Sequence, residues 1–76
     1  MITIIDGKRY TVTHVFNMVG NFHFTDKTGA VYLVDGEDVG AWAEENNKKH
    51  EGIKTAIEYA KAMAAENEGV FYWKIK

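Results

Sequence analysis

Three histidines, eleven carboxylates and nine Lys/Arg side chains are the groups in this chain with chemistry to offer. His14 and His23 fall on neighbouring strand-like stretches, and some pairings would set them opposite each other, as a metal-binding or proton-shuttling pair requires. A third ligand at a defined spacing is missing, so no metal site is expected. The preferred pairing puts His14 on a face with aromatic residues and His23 on the other, one half-buried and one exposed, with His50 solvated in a polar connection. A catalytic carboxylate pair needs two environments that drive its acidities apart. Glu37/Asp38 and Glu44/Glu45 are sequence neighbours on expected helices, and neighbours do not face each other. The chain contains no serine and no cysteine, which removes nucleophiles of those types and thiolate metal clusters. Its seven glycines are scattered and form no phosphate-cradling loop, so no nucleotide cofactor is expected. These absences point away from an enzyme.

Charge is distributed unevenly. Residues 35–68 hold nine acids against four lysines, a net −5 within a chain of net −2. The flanking stretches are mildly basic. Two surfaces are therefore expected to bind partners. An acidic helical face, with Glu37, Asp38, Glu44, Glu45 and Glu51, and with Trp42 if its ring is exposed, would dock on a basic groove of a protein partner, where charge complementarity speeds encounter and sets specificity. A basic and aromatic sheet face, with Lys8, Arg9, Tyr10, Lys27, Tyr72, Lys74 and Lys76, would offer stacking and phosphate contacts to a nucleic acid. A third expectation is self-association through a second apolar sheet face.

Elements to position these groups are readable from periodicity. Seventy-six residues make one domain, and 46% of them are apolar or aromatic, enough to build a core without disulfides. Met1–Ile5 and Lys8–Phe16 form a hairpin around Asp6-Gly7. A two-residue loop would pair Ile5 with Lys8. A three-residue loop would pair Ile4 with Lys8 and put Ile2, Ile4, Tyr10 and Val12 on one face. The second segregates apolar from polar residues better and is the expected register. In the second strand, Tyr10, Val12, His14 and Phe16 share a face. Residues 17–21 read as a connection. Phe22–Thr25 and Ala30–Val34 form a second hairpin, with Asp26-Lys27-Thr28-Gly29 as a type I turn and glycine bulge; that register pairs Phe24 with Tyr32 and Phe22 with Val34. Val31 and Leu33 make its other face partly apolar.

Asp35 is placed to cap a helix with Asp38 in its first turn, and Val39, Trp42 and Ala43 give its buried stripe. After a polar break at 46–50, Ile53, Ala56, Ile57, Ala60, Met63 and Ala64 repeat at helical spacing and predict a helix over 51–67. Lys54 and Glu58 stand four apart on its wet face, and Gly69 is a stop residue. Residues 70–76 read as a fifth strand with Phe71, Trp73 and Ile75 on one face and Tyr72 and Lys74 on the other. The order ββββ-α(α)-β implies an α+β fold, an antiparallel sheet with the alanine-rich helix across one face. No segment resembles a secretion signal or membrane span, so the cytosol is the default compartment. In size and composition the chain resembles the small acidic products of bacteriophages and mobile elements, which suggests an inhibitor or modulator of a host nucleic-acid-handling complex.

Overall fold

The structure, a computed structural model, describes residues 1–15 and 20–76. Its strands are β1 (Ile2–Ile5), β2 (Lys8–Val15), β3 (Asn21–Asp26), β4 (Val31–Asp35) and β5 (Lys74–Ile75), and its helices α1 (Gly36–Glu45) and α2 (Ile53–Glu66). The strands form one antiparallel sheet in the order β1-β2-β3-β4-β5. Both helices lie on one face of it, α2 over β1 and β2 and α1 beside β4. The expected α+β architecture is the one observed. The expected position of Phe16 and most of the 17–21 connection lie outside the described residues.

The core follows from strand alternation. Val12, Phe22, Phe24 and Val34 point inward from three adjacent strands and meet Val39 of α1 and Ala56, Ala60 and Ala64 of α2. The small residues of α2 bring its axis close to the aromatic layer. Tyr10, Phe24 and Phe71 pack edge-on or tilted with ring centroids 5.1–6.3 Å apart, the arrangement aromatic quadrupoles favour. Phe22 pairs with Val34 and Phe24 with Tyr32, as the glycine-bulge turn predicts. Gly29 N–H donates to Asp26 O at 3.1 Å and Asp26 N–H to Ala30 O at 3.0 Å, closing that turn.

The first hairpin corrects the expected register. Ile5 pairs with Lys8, so the loop has two residues, not three. Asp6 (φ 52°) and Gly7 (φ 78°) both lie in the left-handed region, as a type I′ turn demands. This turn has the twist of the flanking strands, and that geometry overrides the tidier segregation of the alternative. Thr3 and Ile5 therefore face α2, while Ile2 and Ile4 are 55% and 62% exposed on the outer face.

The last segment is the second correction. The strand is reduced to Lys74 and Ile75, in register with Leu33 and Tyr32 of β4, with the Trp73 and Lys76 N–H groups bonding to Leu33 O and Val31 O. Residues 70–73 cross from the end of α2 to the sheet edge and bury Phe71, while Trp73 is 57% exposed. The strand-like alternation of this stretch records one buried anchor followed by a short edge strand, so Phe71, Trp73 and Ile75 do not share a buried face.

The helices start and stop by recognisable means. Asp35 Oδ1 accepts the Glu37 N–H at 2.8 Å as the N-cap of α1. At its other end Asn47 (φ 53°) takes the left-handed position, and Lys48 N–H returns to Ala43 O at 2.8 Å, a Schellman closure. α2 begins two residues later than expected, after Gly52, and no side chain caps it from that position. Instead Thr55, 1% exposed, reaches back: its hydroxyl accepts the Glu51 N–H at 2.7 Å and donates to Lys49 O at 3.2 Å. Gly69 N–H bonds to Ala64 O at 2.7 Å and closes α2 in the same Schellman manner. Lys54 pairs with Glu51 at 3.9 Å, and Glu58 with Lys48 at 4.0 Å, in place of the expected Lys54–Glu58 pair.

Candidate functional site

The two charged surfaces are built by the folding topology. At 100° per residue, Glu37, Asp38, Glu44 and Glu45 span an arc of about 120° on α1, opposite the stripe that buries Val39 and Ala43. All four are exposed, and neither ion pair among the described residues engages them. Glu37 and Asp38 occupy the first turn, where the positive end of the helix dipole favours them. Glu44 and Glu45 occupy the last turn, where the dipole disfavours acids by about 0.3–1 kcal/mol each. α2 also ends on an acid, Glu66, but a single one.

Trp42 borders this arc, half-buried. Its ring meets Tyr59 edge-on at 5.9 Å, and Lys48 Nζ stands 5.8 Å from its centroid. It is a wall of the acidic surface, not a free anchor. Glu51 lies apart from the arc, in the connection before α2 and beside Lys54. A cleft of about 140 Å³ opens next to α1, lined among others by Asp35, Asp38, Tyr59, Met63 and Trp73. Burial, and then the carboxylates of Asp38 and Asp35, push the Tyr59 hydroxyl's pKa up, so it is a neutral donor there.

The basic residues converge at the opposite end of the sheet. Because Tyr10 pairs with Asp26, the β1–β2 and β3–β4 turns stand side by side. Lys8, Arg9 and Lys27 are exposed around them and line a groove of about 610 Å³ with Gly7, Asp26 and Thr28. The Lys76 N–H pairs with Val31 O at 2.8 Å, which brings the exposed Lys74 and Lys76 to the same end from the other edge of β4. α1 leaves β4 at its far end, five residues or about 17 Å away.

Two aromatic members of the expected basic face do not reach it. Tyr10 is 4% exposed, inside the core, so its ring offers no stacking platform. Tyr72 is half-buried, edge-on to Tyr32 at 4.8 Å. His14 and His23 lie on opposite faces of the sheet, paired with Phe22 and with Thr13 and Leu33. His14 stacks on Phe22 at 4.5 Å; His23 is half-buried rather than exposed. His50 is exposed, its Nδ1 accepting the Gly52 N–H at 3.1 Å. Among the described residues no cluster of three or more His, Asp or Glu side chains is placed to hold a metal ion.

Sequence reasoning missed the central role of Asp26. Its Oδ1 accepts from the Thr28 hydroxyl at 2.6 Å, the Thr28 N–H at 2.9 Å and the Ala30 N–H at 3.1 Å; its Oδ2 accepts from the Tyr32 hydroxyl at 3.1 Å. These donors, the Thr28 hydroxyl first, hold its carboxyl below the usual range. The signal was present in an Asp leading a turn with Thr two residues on.

No protein-family model, curated protein or solved structure matches this chain. Among the described residues, no helix is long and apolar enough to cross a membrane.

Proposed function

We propose that this chain is a non-enzymatic protein-docking module, acting in the cytosol as an inhibitor or modulator, whose α1 carboxylates enter a basic groove on a nucleic-acid-handling protein. The observation that carries this reading is the pair Glu44 and Glu45. They stand exposed and unpaired in the last turn of α1, where the helix dipole opposes them. A local rule broken on the surface without a compensating contact is the mark of a function-bearing position. Glu37 and Asp38 extend the same arc, and Trp42 with Lys48 walls its side. The four carboxylates give one helix face a concentration of negative charge, and a groove built for a polyanion would accept it.

The test is a capture experiment after nuclease treatment, with wild type beside Glu44→Lys/Glu45→Lys. Removing two unfavourable dipole interactions makes the variant more stable, by about 0.6–2 kcal/mol. The expected result is one protein retained by wild type and released by the better-folded variant. Equal retention by both overturns the reading.

A further inference from the structure

The groove between the two hairpin turns has an electrostatic property that the acidic surface does not explain. Lys8, Arg9 and Lys27 surround it, and neither ion pair among the described residues includes any of them. The carboxylate in its lining, Asp26, is committed to its own turn: both oxygens already accept hydrogen bonds from Thr28, Ala30 and Tyr32. Asp6, the other acid of the turns, lies by Gly69; a Cβ there would come within 2.9 Å of Asp6 Oδ2. Three cations therefore face solvent around a groove whose one lining carboxylate, Asp26, keeps its charge but is turned to its own loop, so the lining carries a net +2. Gly7 leaves its floor open, with no heavy atom within 4 Å of where a Cβ would stand.

The groove does not stop at the turns. It continues onto the outer sheet face as a hollow of about 160 Å³ lined by Arg9, Thr11, Thr25, Asp26 and Lys27. Thr11 and Thr25 are direct cross-strand partners, so two hydroxyls stand together just beyond the cations. Cations followed by paired hydroxyls suit a chain of alternating phosphate and sugar.

We propose that this groove binds the sugar-phosphate backbone of a single-stranded nucleic acid, with Lys8, Arg9 and Lys27 on phosphates and Thr11 and Thr25 on the adjoining sugar-phosphate oxygens. Binding rests on backbone contacts, which carry no sequence information, and the buried Tyr10 adds no stacking to them. The site is separate from the α1 surface, so either can fail without the other.

The experiment is a fluorescence-anisotropy titration of the full chain with a short fluorescein-labelled oligothymidylate over a range of salt concentrations. Three phosphate contacts predict a slope of about −2 in log affinity against log salt. Arg9→Ala/Lys27→Ala is expected to weaken binding about tenfold and bring the slope to about −0.7. Lys8→Ala/Lys27→Ala provides a second route to the same result, and circular dichroism checks that each variant is folded. No saturable binding at low salt, or a slope that both double substitutions leave unchanged, overturns the proposal. So does binding of inorganic pyrophosphate as tight as that of the oligonucleotide, because a chain-binding groove gains from contacts beyond a single phosphate pair.

Discussion

The acid–base behaviour of Asp26 follows from its four donors. A carboxyl held below its unfolded pKa of about 3.9 adds stability above that pH and loses it as pH falls through the folded value. Asp26→Asn removes this dependence, so urea midpoints of wild type and variant should converge as pH drops from about 5 towards 2. Thr55 is the corresponding buried case. Thr55→Val strands the Glu51 N–H and the Lys49 carbonyl and is expected to cost about 1–3 kcal/mol in a denaturant titration. Gly69→Ala tests backbone conformation: at φ 91° it should cost about 1–2 kcal/mol, although the Asp6 carboxylate that a methyl would meet can swing aside. Thr55 shows what sequence leaves hidden. A threonine two residues into a helix looks like a neutral filler, and its role appears only when the chain before it folds back over its hydroxyl.

At the scale of elements, the sheet and both helices were legible because their signals are local. Alternation through β2 and the Asp26–Gly29 turn dictate the β2–β3–β4 face, and the 3.6-residue repeat of Ala56, Ala60 and Ala64 dictates the buried side of α2. The register of β1 was not legible from polarity, because Ile2-Thr-Ile-Ile5 is apolar on both faces. Turn chemistry decides it. Gly7→Ala should therefore cost about 1–2 kcal/mol purely through its φ of 78°, since nothing crowds the position. The end of the chain was misread for a related reason: Phe71, Tyr72 and Trp73 are strand formers by composition, yet the distance from α2 to the sheet edge is covered by a single buried ring. On α1, helical spacing alone gathers Glu37, Asp38, Glu44 and Glu45 on one arc, whereas Glu51, expected on the same face, lies apart from it. Tyr10 was misplaced because a tyrosine reads as well for a surface as for a core.

For the whole molecule, stability is modest. Seventy-six residues imply about 4–11 kcal/mol in total. Phe24 is fully buried in the aromatic layer, and Phe24→Ala, at about 3–5 kcal/mol, should lower the midpoint of thermal melting by about 12–40 °C. The charge division subtracts from this total where Glu44 and Glu45 oppose the α1 dipole, and its other effects lie outside the fold. Lysines from residues 8, 27, 74 and 76, with Arg9, meet at one end, and the α1 acids stand at the end where β4 gives way to helix. A net charge of −2 describes neither end. Near neutral pH the protein should be held at low salt by a sulfonate resin through its lysine-rich tip and by a quaternary-amine resin through its helix, so its behaviour on an ion-exchange column follows from orientation rather than from isoelectric point.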